Sequence, residues 1–159
     1  MSICGLSRIS SELSSALLGI CKPNQPTRYT LEHFLNRHVF DMHQDLPRLI
    51  DAHKTGRPVY IYTGRGPSSK RLHLGHLIPF LFTRTLEASL GSCVDRVIVQ
   101  LSDDEKYTRD GDCSLDLIRS WSESNARDIW SVGFCAEKTL VFRNTEMIHQ
   151  LYPYYLTIN

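Results

Sequence analysis

The sequence predicts an α/β fold: the first half of a doubly wound parallel sheet with helical crossovers, preceded by an N-terminal helical extension. Three observations carry this expectation. Residues 59–63, Val-Tyr-Ile-Tyr-Thr, and residues 94–101, centred on Val97, Ile98 and Val99, are β-branched and aromatic runs of the kind that pack on a pleated surface. A helical pattern follows each of them. A third strand pattern stands at residues 139–142. Strand, helix, strand, helix, strand is the order that right-handed crossovers lay into a parallel sheet, whose ligands gather at the strand C-termini.

Ahead of the first strand the chain reads as helical. Residues 2–21 are rich in serine, with Ile9, Leu13, Leu17 and Ile20 at helical spacing, so a short amphipathic helix is expected, ended by Pro23 and Pro26. Serine, Arg8 and few acids are also traits of a transit peptide, which Glu12 interrupts. A polar link over residues 27–30 leads to a helix at 31–40 with Thr30 as its cap. Asp45 is expected to cap another, with Pro47 in the first turn, Leu46, Leu49 and Ile50 as the apolar face, and Gly56 past the end. Residues 1–56 are thus an N-terminal helical segment, and 57–159 hold the sheet.

The first strand ends in Gly64-Arg65-Gly66-Pro67-Ser68-Ser69, where glycines and a proline make a turn that a ligand can approach closely. Pro79 would clash inside a helix, so the next helix is placed near Gly75 or His76. That puts His73 and His76 about one turn apart at the helix N-terminus, where free N–H groups and the helix dipole meet, with Lys70 and Arg71 just upstream. This arrangement suits a polyphosphate. Gly91 stops the helix, and the acidic turn of Asp103, Asp104 and Glu105 cannot continue the buried second strand. Ser114 caps a long helix with Leu117, Ile118, Trp121, Ile129 and Val132 on one side, closed by Gly133. After the third strand, Asn144 or Thr145 caps a helix that Pro153 halts. Tyr154, Tyr155, Leu156 and Ile158 then form a second apolar patch.

Composition bounds the function. The chain has 159 residues, 42% of them hydrophobic, enough for one ordinary globular domain with a core. A formal charge of +1 argues against broad electrostatic binding to nucleic acid. The five cysteines, Cys4, Cys21, Cys93, Cys113 and Cys135, are odd in number and never spaced Cys-x-x-Cys, against both a disulfide framework and a zinc site and in keeping with a reducing cytosol. No apolar run approaches the roughly 20 residues that span a bilayer. A dinucleotide-binding fingerprint is also disfavoured, because Gly64-x-Gly66-x-x-Ser69 lacks the last glycine and no acid ends the second strand.

Three blocks in order carry a closer resemblance. Tyr62-Thr63-Gly64-Arg65-Gly66-Pro67-Ser68-Ser69, His73-Leu74-Gly75-His76 with Leu77-Ile78-Pro79-Phe80 behind it, and Gln100-Leu101-Ser102-Asp103-Asp104-Glu105-Lys106-Tyr107 resemble the tryptophanyl-tRNA synthetases of archaeal and eukaryotic type, which are class I enzymes. The likeness runs almost end to end, yet covers only the N-terminal part of that family's Rossmann-like catalytic domain. Within these residues there is no Lys-Met-Ser-Lys-Ser loop or helical anticodon-binding domain, and the five lysines are scattered.

The resemblance implies an ATP-dependent tryptophan-tRNA ligase, with tryptophan, ATP accompanied by Mg2+, and tRNA(Trp) as partners, a homodimeric intact enzyme and a cytoplasmic location. His73 and His76 would stabilise the α-phosphorus as pyrophosphate leaves, a task for donors aimed where charge develops, and Lys106 would share in the catalytic work. Arg65, Gly66, Pro67 and Gly75 complete the implied ATP site, Arg65 through a guanidinium that can hold two oxygens. Tyr62, Gly64 and Gln100 would bind tryptophan, Tyr62 and Gln100 reading the indole N–H and Glu105 pairing with the ammonium group. Each residue has a blander alternative: helix-start histidines, a solvated loop arginine, a packing tyrosine, and a solvated acidic turn at Asp103, Asp104 and Glu105. Two other functions stay open on the residues alone. One is a small nucleotidyltransferase using His-x-Gly-His on another acceptor, which would not need Gln100 and Glu105. The other is a non-catalytic half-domain for binding or dimerisation. No metal ligands are expected, and the 159 residues alone are expected to be inactive.

Overall fold

A computed structural model describes residues 6–21, 30–109 and 113–158. Three strands, β3 (Val59–Arg65), β4 (Val94–Leu101) and β5 (Thr139–Arg143), form a parallel sheet in the order β3-β4-β5. Val97 lies opposite Thr139 and Leu101 opposite Arg143. Helix α4 (Leu74–Leu90) joins β3 to β4, and α5 (Asp103–Arg109) and α6 (Leu115–Trp130) lead from β4 to β5, so the expected alternation holds. Helix α7 (Asn144–Tyr155) follows β5. Before β3 come β1 (Ser7–Arg8), α1 (Ser11–Ile20), α2 (Leu31–Asn36), β2 (Met42–His43) and α3 (Leu46–Lys54).

The chain divides into two compact units, and the division passes through β3, α4 and β4. The first comprises residues 1–61 and 81–96. Its core is Leu17, Leu31, Leu35 and Ile50, with Ile9, Leu13, Phe82 and Leu86 packed against them. Phe34 meets Phe82 edge-on at 5.4 Å between ring centroids. Thr30 caps α2 as expected, but α2 ends at Asn36 because His38 turns left-handed at φ 53°. The Val39 amide then donates to the Phe34 carbonyl at 3.0 Å and that of His38 to Leu35 at 3.1 Å, a Schellman stop with histidine in the usual glycine position. Asp45 occupies the cap position of α3 at φ 60° without a capping bond from its side chain, and Nδ1 of His43 accepts from the Leu46 amide instead, at 3.3 Å. The two-residue β1-β2 pairing is too short to leave a period in the sequence. Pro23 and Pro26, expected to end the first helix, lie outside the described residues.

The second unit comprises residues 62–80 and 97–159. Val97, Val99 and Leu101 of β4, with Ile118 and Ile129 of α6, are fully buried in it. Ser114 caps α6 by accepting from the Leu117 amide at 3.2 Å. The buried stripe of α6 is Ile118, Ser122, Asn125 and Ile129, whereas Leu117 is exposed, so two polar residues stand where an apolar face is expected. Helix α4 starts at Leu74, slightly earlier than Pro79 suggests, and Pro79 sits inside it, leaving the Gly75 carbonyl without its i+4 donor. Pro153 likewise lies inside the last turn of α7, where a proline forfeits a single bond, and the helix runs two residues past it. Among the described residues no helix is long and apolar enough to cross a membrane.

Candidate functional site

The C-terminal ends of β3 and β4, with the segments that follow each, carry the residues that the sequence marks as chemical. Backbone geometry brings the two ends close. The Ser102 amide donates to the Arg65 carbonyl at 3.0 Å, and a Cβ added to Gly64 would stand 2.8 Å from the Gln100 carbonyl oxygen. Gly64 is therefore required by the approach of the two strands, whatever it does for a ligand. Gly66 is less constrained, its added Cβ meeting only Oγ of Ser102 at 3.6 Å.

Side chains at this edge form three groups. In the first, the hydroxyl of Tyr62 donates to Oε1 of Gln100, and Nε2 of Gln100 donates to Oδ1 of Asn144 at 2.5 Å. Tyr62 is 62% exposed, so the pair opens to solvent. The glutamine thus has protein partners for both ends of its amide, and one lone pair of its oxygen remains for a ligand donor.

The second group lies at the start of α4. The rings of His73 and His76 stack with centroids 3.5 Å apart. Gly75 keeps them so, because a Cβ there would press on the His73 ring at 3.2 Å. Burial holds the His76 imidazole below its ordinary value of 6.5, with the charges of Arg65 and His73 acting in the same sense. Burial also lowers the Arg65 guanidinium, whose Nη2 donates to Oγ of Ser68 at 2.9 Å. Nε of Arg65 and Nδ1 of His76 are buried without a hydrogen-bond partner among the described residues. Unpaired buried polar atoms cost free energy, and phosphate oxygens are the complement that these nitrogens lack. Pro67, by contrast, is fully buried and shapes the turn by packing.

The third group lines a cleft of about 380 Å3 made by Gly66, Ser68, Ser102, Glu105, Lys106 and Arg109. Glu105 and Lys106 thus share a wall with the glycine turn, and a carboxylate beside two cations suits a ligand carrying both an ammonium and phosphates. His73, His76, Tyr62 and Gln100 are not among its lining residues.

Four supporting residues are not evident from sequence. Asp103 is fully buried, not part of a solvated turn: Oδ1 accepts from the Thr145 amide at 3.1 Å and Oδ2 from the Thr145 hydroxyl at 2.6 Å, tying α5 to α7. Asn144 bridges Gln100 to Asp104, whose Oδ1 accepts from Nδ2 of Asn144 at 2.7 Å. On α6, Nδ2 of Asn125 donates to the carbonyls of Ser69 and Lys70 at 2.9 and 3.4 Å, and Oδ2 of Asp128 accepts from the Leu72 amide at 3.1 Å. These two residues hold the segment between the glycine turn and the histidines. The available signal is helical spacing, since Asn125 falls on the stripe that joins Ile118 to Ile129.

No protein-family profile matches the chain. Individual proteins do. It is 39% identical over 154 residues to the cytoplasmic tryptophan-tRNA ligase of Dictyostelium discoideum, a match covering 97% of this chain and 36% of that protein. Identity to the tryptophan-tRNA ligase of Saccharolobus solfataricus is 40% over 123 residues, 77% of this chain and 31% of the relative. The crystal structure of Plasmodium falciparum tryptophanyl-tRNA synthetase matches with a TM-score of 0.82 at 40% identity, over 97% of this chain and 39% of that one. The chain spans about a third of the length of the curated relatives it matches.

Proposed function

Because the chain belongs to the tryptophanyl-tRNA synthetase family and shares the Rossmann-like α/β architecture of its catalytic domain, we propose that it supplies the first part of a tryptophan-activating site. In the reaction a carboxylate oxygen of tryptophan attacks the α-phosphorus of ATP, the bond to the β-phosphate oxygen breaks, and pyrophosphate leaves with the electron pair. Tryptophanyl-adenylate then passes its acyl group to tRNA(Trp). No protein nucleophile is required, so the residues act by orientation and by stabilising phosphate charge. Tyr62 and Gln100 read the indole N–H, and Glu105 pairs with the ammonium group. Arg65, His73, His76 and Lys106 face the phosphates, and the backbone at Gly66 and Gly75 allows their close approach. Mg2+ enters with ATP, neutralising phosphate charge as part of the substrate. The complete enzyme works in the cytoplasm as a homodimer.

The observation that carries this reading is the Tyr62–Gln100 pair, a solvent-facing reader with an acceptor to spare, at the same strand edge as the glycine turn. Titration of the 15N-labelled chain, followed by chemical shifts to reach weak affinities, tests it. Gln100→Ala is expected to weaken tryptophan binding by about 1–3 kcal/mol while ATP binding holds. Equal losses for both ligands would place Gln100 in general folding and remove its reading role.

A further inference from the structure

Four side chains at the strand edge form a directed chain of hydrogen bonds, and the direction is set at its carboxylate end. Oδ1 of Asp104 accepts from Nδ2 of Asn144 at 2.7 Å and from the Glu105 amide at 2.8 Å. A carboxylate can only accept, so Asn144 must turn its nitrogen toward Asp104 and its oxygen toward Gln100. Gln100 must then turn Nε2 to that oxygen, at 2.5 Å, which leaves Oε1 facing the hydroxyl of Tyr62. Were the Gln100 amide reversed, its NH2 would donate to Tyr62, the phenol proton would point outward, and the site would present donors. The same two residues would then read the opposite chemistry.

We propose that Asn144, oriented by Asp104, is a positioning and specificity-determining residue: it locks the Gln100 amide so that the Tyr62–Gln100 pair presents an acceptor and selects an aromatic ring bearing N–H. This rests on the reading that Tyr62 and Gln100 face the side chain of tryptophan. The ligand it rejects is the same bicycle with sulfur in place of N–H, which would leave the second lone pair of the aimed oxygen without a donor. Asn144 touches no substrate in this role and acts only through Gln100.

Two variants of the chain separate positioning from a merely structural part. Asn144→Leu removes both bonds and frees the Gln100 amide to rotate. Asn144→Asp still offers Gln100 an acceptor, but sets a carboxylate against Asp104. The dissociation constants for tryptophan and for β-(3-benzothienyl)alanine are measured by chemical-shift titration, and the Gln100 side-chain amide is followed without ligand. The preference for tryptophan is expected to fall about tenfold in Asn144→Leu and to stay within about threefold in Asn144→Asp, even though the second is the less stable protein. A structural role predicts the reverse order. An unchanged preference in Asn144→Leu, with tryptophan still bound, would overturn the proposal and spare the tryptophan reading. Failure of tryptophan to bind the unmutated chain would overturn that reading, and the Gln100 resonances would then judge positioning alone: identical amide shifts and exchange in unmutated chain and Asn144→Leu sink it. Should Asn144→Leu not fold, a tenfold loss of preference in Asn144→Asp has the same force.

Discussion

Gly64 has no room for a side chain, since a Cβ would stand 2.8 Å from the Gln100 carbonyl oxygen, and that neighbour is backbone that cannot swing away. Gly64→Ala should therefore cost about 1–3 kcal/mol of stability as the strands part, read as a lower urea midpoint with an unchanged slope. An unshifted midpoint would mean that the strands yield freely. At His76 the relevant quantity is charge. Burial, with the charges of Arg65 and His73 acting in the same sense, keeps its imidazole below 6.5. A folded value below the unfolded one means that this group's contribution to stability is present above about 6.5 and is lost as pH falls below it. A bound triphosphate reverses the local sign and raises the imidazole, so ATP binding should take up protons and tighten as pH falls from about 8 to about 6.5. Calorimetry in two buffers of different ionisation heat measures the uptake, and a binding heat independent of buffer would remove His76 from the phosphate site. Legibility at this scale follows chemistry that is conspicuous in its surroundings. Gln100 stands out as an amide at the end of an apolar strand, and the two histidines stand out around a glycine. Asn144 does not, because an asparagine at a helix start reads as a cap, although its side chain joins Gln100 to Asp104.

Helix α6 shows how an element far from the motifs in sequence shapes the segment between them. Asn125 and Asp128 hold three backbone groups of residues 69–72, and Asn125 is fully buried. Asn125→Ala leaves the Ser69 and Lys70 carbonyls without this donor, an expected loss of about 1–3 kcal/mol. Hydrogen exchange at Leu72 is the sharper readout, because its amide is held by Asp128 and protected only while the segment stays docked. Faster unfolding with Leu72 still protected would make Asn125 a packing residue. Two of the helix starts were legible, since Thr30 and Ser114 cap α2 and α6 with side-chain bonds that their residue types announce. Ends were harder to read. Asn36 closes α2 through a left-handed His38, a conformation that glycine usually advertises, and α7 passes Pro153 because the bond lost there lies in its last turn. On α6 the apolar period misleads, since Leu117 is exposed while Ser122 and Asn125 occupy the buried stripe.

At the scale of the whole chain the sheet alternation was legible from three strand patterns, while the division into two units was not, because it cuts across β3, α4 and β4 with no break in their patterns. The last helix decides how the chain behaves in solution. Ile148, Leu151, Tyr152, Tyr154 and Tyr155 of α7 are all exposed, and Ile158 beyond it is 80% exposed. Scattered apolar residues are ordinary on a surface, but a run of this kind along one terminal helix is the sort of contiguous patch that drives association. Net charge near zero adds little repulsion to oppose it, the formal value being +1. The 159 residues purified alone should therefore self-associate at micromolar concentration and bind a hydrophobic dye, and Tyr154→Lys combined with Ile158→Lys should restore a monomer. The same preparation should support negligible tryptophan-dependent pyrophosphate exchange. On the proposed reading the phosphates meet Arg65, His73, His76 and Lys106, while these residues hold no Lys-Met-Ser-Lys-Ser run to neutralise the departing pyrophosphate. Light scattering and an exchange assay on one sample, beside a full-length relative, read both expectations together. Brisk exchange from a monodisperse monomer would show that the groups already gathered at the strand edge suffice for adenylation, and that the α7 face needs no cover.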